Sequence, residues 1–219
     1  MSILKRETFL LRLTGGDADQ LGAIFATLPE DVAALRDARG VDNFSVWHVD
    51  GLVFGYYEVT REHVMTAADN AALRALAEKL SPLCEIIADP FTCPMRLMYS
   101  DIGVVRADKA LIRHRVFATR LKPGCTEEYK RRHDALASSK AGAVSEGPES
   151  NFTIWNAGRY IFGYCELARS FDHEMTEDER ASTVAWETRG FEIMDWITDD
   201  VDWISGEKHS PIALVYRQR

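Results

Sequence analysis

Hydrophobic positions along the chain follow two periods, which predict where strands and helices lie. Runs that alternate hydrophobic and polar residues predict strands, and segments with a hydrophobic residue every three or four positions predict helices. The dipeptide Asp50-Gly51 is typical of a two-residue hairpin turn. The patterns of the first half predict a strand at Thr8–Leu13 and then a helix at Asp17–Asp37, which Pro29 bends or divides. They next predict a hairpin of Phe44–Val49 and Leu52–Val59, a helix from Thr66 to Leu80 and a strand at Met95–Tyr99.

The second half of the chain repeats this order. Its patterns predict a strand at Arg115–Leu121, a helix capped by Thr126, a hairpin of Phe152–Asn156 and Tyr160–Leu167, a helix at Ser182–Ile197 and a strand at Ile212–Tyr216. The stretch Asp199–Ser210 has no counterpart in the first half, and we expect it to be a surface insertion.

Short segments of the first half recur in the second at one offset of 108 positions. Asn43–Trp47 matches Asn151–Trp155, and Phe54–Glu58 matches Phe162–Glu166. A fixed period near half the length indicates a tandem duplication, here of units 1–105 and 111–219. The order strand, helix, hairpin, helix, strand is typical of a ferredoxin-like α+β unit with an antiparallel sheet. We expect the two units to pack sheet to sheet as an intrachain pseudo-dimer, an α/β barrel.

The two copies differ on one helical face. Leu21 and Phe25 in the first copy match Tyr129 and His133 in the second. The second copy thus carries two polar rings where the first copy has hydrocarbon side chains, which indicates a function for them. The alternative is that Tyr129 and His133 lie at a solvated edge of the helix. We expect one functional pocket, in the second copy, and a first copy that is catalytically degenerate, its pocket filled by Leu21 and Phe25.

The strand Tyr160–Leu167 predicts the wall opposite that helix. Tyr164 and Glu166 share one face of it. Glu58 stands at the matching place in the first copy, which favours a structural role for the glutamate as strongly as a functional one. The facing of Trp155 stays open. The substrate-binding residues predicted for the pocket are Glu166, Tyr164, Trp155, Asn151 and Phe191.

Composition restricts the class of protein. The 219 residues carry a net charge of −8, which argues against a nucleic-acid partner. The chain has neither a 20-residue apolar run nor a signal-peptide pattern, and its four cysteines form no CxxC pair. We therefore expect a cytoplasmic protein with reduced thiols and no membrane partner. The six histidines show no metal-binding spacing, so neither metal nor cofactor is predicted.

The segment Arg120–Asp134 resembles the first strand and helix of the L-rhamnose mutarotases, in which a Pro-Gly turn precedes a Glu-Tyr-x-x-x-His helix. The strand Asn151–Trp155 is also similar, and the resemblance is strong over Arg113–Leu167. It implies a ferredoxin-like fold, dimers, and exchange of the α and β anomers of L-rhamnose without cofactor or metal. It also implies catalytic roles for Tyr129 and His133.

Other segments depart from that family. The helix continues as Ala135–Ser139, the position of a sugar-stacking tryptophan pair reads Gly190-Phe191, and the last strand lacks a glutamate before an aromatic residue. These departures predict a remodelled pocket. The leading hypothesis is thus a mutarotase-type isomerase of a small-molecule substrate, working as a pseudo-dimeric monomer or a homodimer. The alternatives are a cofactor-independent oxygenase or cyclase of a secondary pathway, and a small-molecule binding protein without turnover.

Overall fold

The computed structural model describes residues 3–140, 149–169, 174, 176–198 and 212–218. The first half of the chain forms β1 (Lys5–Leu13), α1 (Ala18–Ala26), α2 (Glu30–Ala38), β2 (Val41–Val49), β3 (Leu52–Val59), α3 (Ala67–Leu80), β4 (Cys84–Ala88) and β5 (Arg96–Asp101). The second half forms β6 (Ile112–Leu121), α4 (Thr126–Ser139), β7 (Glu149–Ala157), β8 (Tyr160–Ala168), α5 (Glu177–Gly190), β9 (Met194–Thr198) and β10 (Ala213–Arg217).

The described strands form two antiparallel five-stranded sheets, in the orders β10-β2-β3-β1-β4 and β5-β7-β8-β6-β9. Four strands of each sheet have the order of a ferredoxin-like unit, so the structure is a mixed α+β fold consistent with two such units. These sheets are open and neither is a closed barrel. Packing of the two units sheet to sheet stays a prediction.

The fifth strand of each sheet comes from the other half of the chain. β5 follows the first repeat but pairs with β7, and β10 follows the second repeat but pairs with β2. The compact units are therefore Met1–Met95 with Ala213–Arg219, the first unit, and Arg96–Ile212, the second unit. They differ from the expected 1–105 and 111–219 because β5 and β10 each join the sheet of the other half of the chain.

Several predicted elements agree with the structure. Pro29 separates α1 from α2, as expected from its missing N–H. Asp50 and Gly51 have φ of 50° and 70°, the left-handed pair that a tight hairpin turn requires. Thr66 caps α3 through a reciprocal pair of hydrogen bonds with Asp69.

Three predictions near the helices of the second half are wrong or lie outside the described residues. Thr126 is the first residue of α4 and not its cap, and Cys125 takes that position without a side-chain hydrogen bond. The predicted helix Ser182–Ile197 is wrong in both bounds, because α5 starts after Thr176 and ends at Gly190, and Met194–Thr198 is strand β9. The proposed insertion Asp199–Ser210 lies outside the described residues.

A phenylalanine ring explains the glycine of each repeated Phe-Gly-Tyr segment. The ring of Phe117 on β6 lies across Gly163 of β8, where a Cβ atom would meet it at 2.0 Å. Phe9 covers Gly55 in the same way in the first unit, at 2.1 Å. The glycine at the matching position of each unit is thus a packing requirement and carries no functional signal.

We expect Gly163→Ala to destabilise the second unit by about 1–3 kcal/mol, the usual cost of overpacking. Urea denaturation followed by circular dichroism measures the change. The double variant Gly163→Ala/Phe117→Leu should lose less than the sum of the single variants, because the smaller side chain relieves the clash. Unchanged stability of Gly163→Ala would show that the ring can move aside at no cost.

Candidate active site

The inward face of α4 carries Tyr129 and His133. Both side chains are buried, at 4% and 7% exposure, so the alternative of a solvated helix edge is wrong. Their spacing of four places one ring over the other, with centroids 4.2 Å apart and planes inclined by 26°. Tyr129 belongs to the hydrophobic core of the second unit together with Ile154 and Ile161. The face therefore points at the sheet.

The protonation state of His133 follows from its surroundings. Nδ1 lies 2.9 Å from the carbonyl oxygen of Tyr129, and a carbonyl only accepts, so Nδ1 carries the proton and Nε2 keeps its lone pair. Burial lowers the pKa of His133 below its usual 6.5, and the hydrogen bond to the carbonyl offsets this only in part. His133 is thus a neutral imidazole at pH 7 with a basic Nε2.

Two further aromatic rings surround His133. Tyr99 of β5 and Trp186 of α5 meet it edge-on, with centroids 5.6 Å and 5.5 Å away. Sequence reasoning singled out neither residue. Tyr99 reaches the site because β5 pairs with β7, where Tyr99 stands opposite Ile154. The ring environment of His133 is consequently built from three elements: α4, α5 and the exchanged strand.

The aromatic residue of α5 that contacts His133 is Trp186. The sequence had predicted Phe191 for that place. Phe191 ends α5 as its C-terminal cap, and its carbonyl oxygen accepts a hydrogen bond from Lys122. The structure shows no ring contact between Phe191 and His133 within its described residues. The sequence did contain a signal for this position. Thr176 is a capping residue, and a helix that begins directly after it includes Trp186.

A charged network holds α4 against the end of α5. Arg132 donates to Glu128 on α4 at 2.8 Å, to Glu192 at 2.7 Å, and to the carbonyl oxygen of Arg189. Hydrogen bonds from Arg131 and Arg132 lower the pKa of Glu128 to about 2. This network fixes the helix that carries His133 relative to the helix that carries Trp186.

Two buried polar atoms on the helix-facing side of the sheet are without a hydrogen-bond partner among the described residues. They are Oγ1 of Thr119 and Nε1 of Trp196. The two residues stand opposite each other on β6 and β9, and Trp196 packs on Phe117 and the core that contains Tyr129. An unpaired buried polar group is costly, so these atoms are candidates for hydrogen bonds to a ligand.

The structure does not bring the predicted strand residues together with His133. Along β8, Ile161 points to the helices, so Tyr164 and Glu166, at the alternate positions, point to the opposite face. The expectation that they form the wall opposite α4 is wrong. Glu166 is fully buried and accepts from Asn151 at 2.9 Å, Tyr164 at 2.9 Å and Lys109 at 2.8 Å.

The first unit contains the matching glutamate, asparagine and tyrosine. Glu58 accepts from Asn43 at 3.3 Å and from Tyr56 at 3.1 Å. Asn43 and Asn151 both adopt a positive φ, 53° and 54°, where the strand pairing shifts register. Because both units contain this arrangement, it indicates a structural role, and its members are not part of the proposed catalytic set.

Trp155 lies on the same sheet face as that cluster. It stands opposite Phe162 in the β7–β8 ladder, and its Nε1 donates to Thr153 at 3.0 Å. This settles its facing, which the sequence left open. It is buried on the face opposite α4.

The matched position in the first unit is not filled as expected. Leu21 is fully buried, but Phe25 lines a cavity of about 460 Å³. The prediction that these two side chains fill the first pocket is therefore wrong. A functional pocket in the second unit stays a prediction.

Two absences concern ligands and membranes. Across residues 3–140, 149–169, 174, 176–198 and 212–218, no three His, Cys, Asp or Glu side chains are grouped to hold a metal ion. Among the same residues, no helix combines the length and apolarity needed to cross a membrane.

Comparison with known proteins gives one result. No curated protein and no solved structure gives a significant match to the chain. Residues 114–217 match the sequence model of the L-rhamnose mutarotase family. The match covers a single domain, so a tandem duplication stays a prediction. It includes Tyr129, His133 and Trp186, and it confirms that the second half of this chain resembles the L-rhamnose mutarotase family.

Proposed function

We propose that the second unit is an isomerase that interconverts the anomers of a sugar, with His133 as its proton-transfer residue. The family match supports a mutarotase-like function at the level of the family. The observation that carries the proposal is the neutral, buried His133, whose Nδ1 is engaged by the Tyr129 carbonyl and whose Nε2 is basic. A base with a pKa near or below neutrality is suited to proton transfer at pH 7.

The proposed reaction opens and closes the sugar ring. His133 Nε2 takes the proton of the anomeric hydroxyl as the electron pair of that O–H bond forms the carbonyl. The bond between the anomeric carbon and the ring oxygen breaks, and the ring oxygen takes up the proton that His133 Nε2 now holds. Rotation about the bond to the next carbon exposes the other carbonyl face, and the reverse steps close the ring. No atom is gained or lost, and His133 ends as it began.

Tyr129 has a different role in this proposal. Burial raises the pKa of its phenol far above the usual 10, so the hydroxyl stays protonated throughout. A phenol held in that form donates hydrogen bonds but does not shuttle protons near pH 7. We therefore assign Tyr129 to orienting a sugar oxygen and supporting the His133 ring by stacking.

The proposed substrate class is a 6-deoxysugar such as L-rhamnose. The Thr119 hydroxyl and the Trp196 indole N–H, which have no hydrogen-bond partner among the described residues, offer hydrogen bonds to sugar hydroxyls. The rings of Tyr99 and Trp186 offer apolar surface to the C–H faces of the sugar and to its methyl group.

We expect the wild-type protein to accelerate anomer exchange of L-rhamnose above the rate in buffer. Saturation-transfer NMR measures exchange directly, because mutarotation also proceeds unaided in water. A panel of 6-deoxysugars and their 6-hydroxy counterparts tests the substrate class, and we expect the deoxysugars to be favoured. A protein that accelerates no sugar of the panel contradicts the proposal.

A second candidate is a cofactor-independent oxygenase or cyclase. The observation that favours it is the aromatic surrounding of His133, since Tyr99, Tyr129 and Trp186 also suit a flat aromatic substrate. The two candidates separate in one experiment. Anomer exchange without effect on aromatic substrates supports the isomerase, and the reverse supports the oxygenase or cyclase.

A further inference from the structure

The first unit contains a cavity of about 460 Å³ against the helix-facing side of its sheet. Pockets that hold drug-sized ligands have volumes of roughly 300–1,000 Å³. Its wall is made from strands β1 to β4, helices α1 to α3 and the turn after β4. The wall is mainly hydrocarbon, and its members include Phe9, Phe25, Phe44, Leu73, Leu76 and Phe91.

Such a void does not belong to an ordinary core. Protein interiors pack as densely as organic crystals, with few voids larger than a water molecule. An apolar cavity offers water too few hydrogen-bond partners to hold it. Two hydrophobic wall residues, Ile86 and Phe91, are 39% and 38% exposed, so the cavity opens to solvent beside them. These properties are typical of a ligand site.

The wall of this cavity also contains charged side chains. Three arginines contribute to the wall, Arg36 and Arg74 from the helices and the buried Arg39, against one acid, Asp89. Asp89 already accepts hydrogen bonds from the backbone N–H groups of Phe91 and Thr92, each at 2.8 Å. The guanidinium groups therefore outnumber the carboxylate in the wall.

Arg39 is fixed in place. Its Nη2 donates to both oxygens of Glu7 at 2.9 Å, and its guanidinium lies 5.1 Å from the ring centroid of Phe91. A guanidinium carries five N–H donors, of which Glu7 engages those of one nitrogen. Arg36 also pairs with Asp37 at 3.0 Å. Arg74, exposed on α3, is therefore the arginine that a test can change without disturbing a buried pair.

We propose that this cavity binds an apolar organic acid, with its hydrocarbon or aromatic body inside and its carboxylate among Arg36, Arg39 and Arg74. Planar guanidinium groups match carboxylates in geometry and charge. The site lies within the first unit, where Leu21 and Phe25 replace the Tyr129/His133 pair. It is thus a binding site without the proton-transfer residue, and it does not depend on the isomerase proposal.

The test uses two fluorescent probes that share an apolar body. 8-Anilinonaphthalene-1-sulfonate carries an anion, and N-phenyl-1-naphthylamine does not. We expect the folded, full-length protein to bind the anionic probe about tenfold more tightly, the ratio that one charge-assisted hydrogen bond provides. Decanoate should displace it at lower concentration than decanol. Equal binding of the two probes, with equal displacement, would overturn the carboxylate assignment.

Variants locate the site. Arg74→Gln should weaken the anionic probe about tenfold and leave the neutral one unchanged, whereas Arg131→Gln, a matched exposed arginine on α4, should change neither. Leu73→Trp fills the cavity and should abolish binding of both probes while unfolding remains cooperative. Probe binding that survives both Arg74→Gln and Leu73→Trp places the site elsewhere. Should Leu73→Trp not fold, Arg74→Gln alone decides.

Discussion

His133→Asn is expected to lower the rate of anomer exchange by about 10²–10⁴-fold, the usual contribution of general acid–base catalysis. Asparagine forms hydrogen bonds but does not titrate near neutral pH. For the wild type, the active form is the neutral imidazole, which exists above its pKa. Because burial lowers the pKa of His133 below 6.5, activity should rise through a midpoint below pH 6.5 and stay level at pH 7–8. Saturation-transfer NMR at several pH values measures both effects.

Two tyrosine variants separate chemistry from packing. Tyr129→Phe keeps the stacked ring and removes the hydroxyl, so it should lower activity with little change in thermal stability. Tyr164→Phe removes a buried hydroxyl from the opposite sheet face, where it donates to Glu166, so it should lower stability with little change in activity. Full activity of His133→Asn on a sugar that the wild type accelerates would refute the mechanism, whatever the substrate.

Glu7→Gln is expected to destabilise the first unit by about 3–5 kcal/mol, the usual cost of leaving one partner of a buried ion pair uncompensated. Glu7 is 3% exposed and accepts from Arg39 at 2.9 Å and from Tyr57 at 2.7 Å. The glutamine removes the negative charge and leaves the buried guanidinium in place. Hydrogen exchange of the β1 amides in urea measures the loss within the first unit.

The control is an exposed ion pair that joins β1 to β4. Arg12 and Glu85 form an ion pair at 2.7 Å whose side chains are 43% and 55% exposed, so Glu85→Gln should cost less than about 1 kcal/mol. The double variant Glu7→Gln/Arg39→Met should be more stable than Glu7→Gln alone, because it removes the orphaned charge. An equal loss of unfolding free energy in Glu7→Gln and Glu85→Gln would show that the buried ion pair contributes no more than the exposed one.

The pH dependence gives a second measurement. Burial by itself raises the pKa of Glu7, but hydrogen bonds from Arg39, Lys5 and Tyr57 outweigh it, and the pKa lies below its usual 4.5. A carboxyl with a lowered pKa contributes stability that is complete above the unfolded value and is lost as the pH falls through the folded value. Wild-type stability should therefore fall below about pH 4.5, and Glu7→Gln should fall less steeply there.

The sequence predicted what depends on neighbours along the chain. Both hairpins, the division of the first helix at Pro29 and the Thr66 cap rest on local signals, and the structure contains them. The pairing of Tyr129 with His133 on one inward helical face was also predictable, from spacing and from comparison of the two copies. The family resemblance rests on the same residues.

The failures come from short strands and misread helix bounds. Met194–Thr198 is a five-residue strand whose hydrophobic residues continue the pattern of the preceding helix, so periodicity alone extended α5 to Ile197. The cap at Thr176, confirmed by its reciprocal bonds with Glu179, was the signal that would have placed α5 and Trp186 correctly.

Other failures come from contacts between distant segments. Nothing local to Tyr99 indicates that its strand joins the sheet of the following repeat and meets His133. The alternation along β8 correctly predicted that Tyr164 and Glu166 share one face of the strand. The side of the sheet that the helices cover, however, depends on how the whole unit packs.

Because β10 belongs to the sheet of the first unit, that sheet cannot be completed until the end of the chain has been translated. β2 begins at Val41, yet its neighbour β10 ends at Arg217, and Ala213 pairs with His48. At about 5–20 residues per second, the ribosome needs roughly 8–33 s to make the intervening chain. Throughout that interval the nascent first unit has β2 as an unpaired edge, the kind of edge that recruits foreign strands. The unit that is translated first is thus the last to be completed.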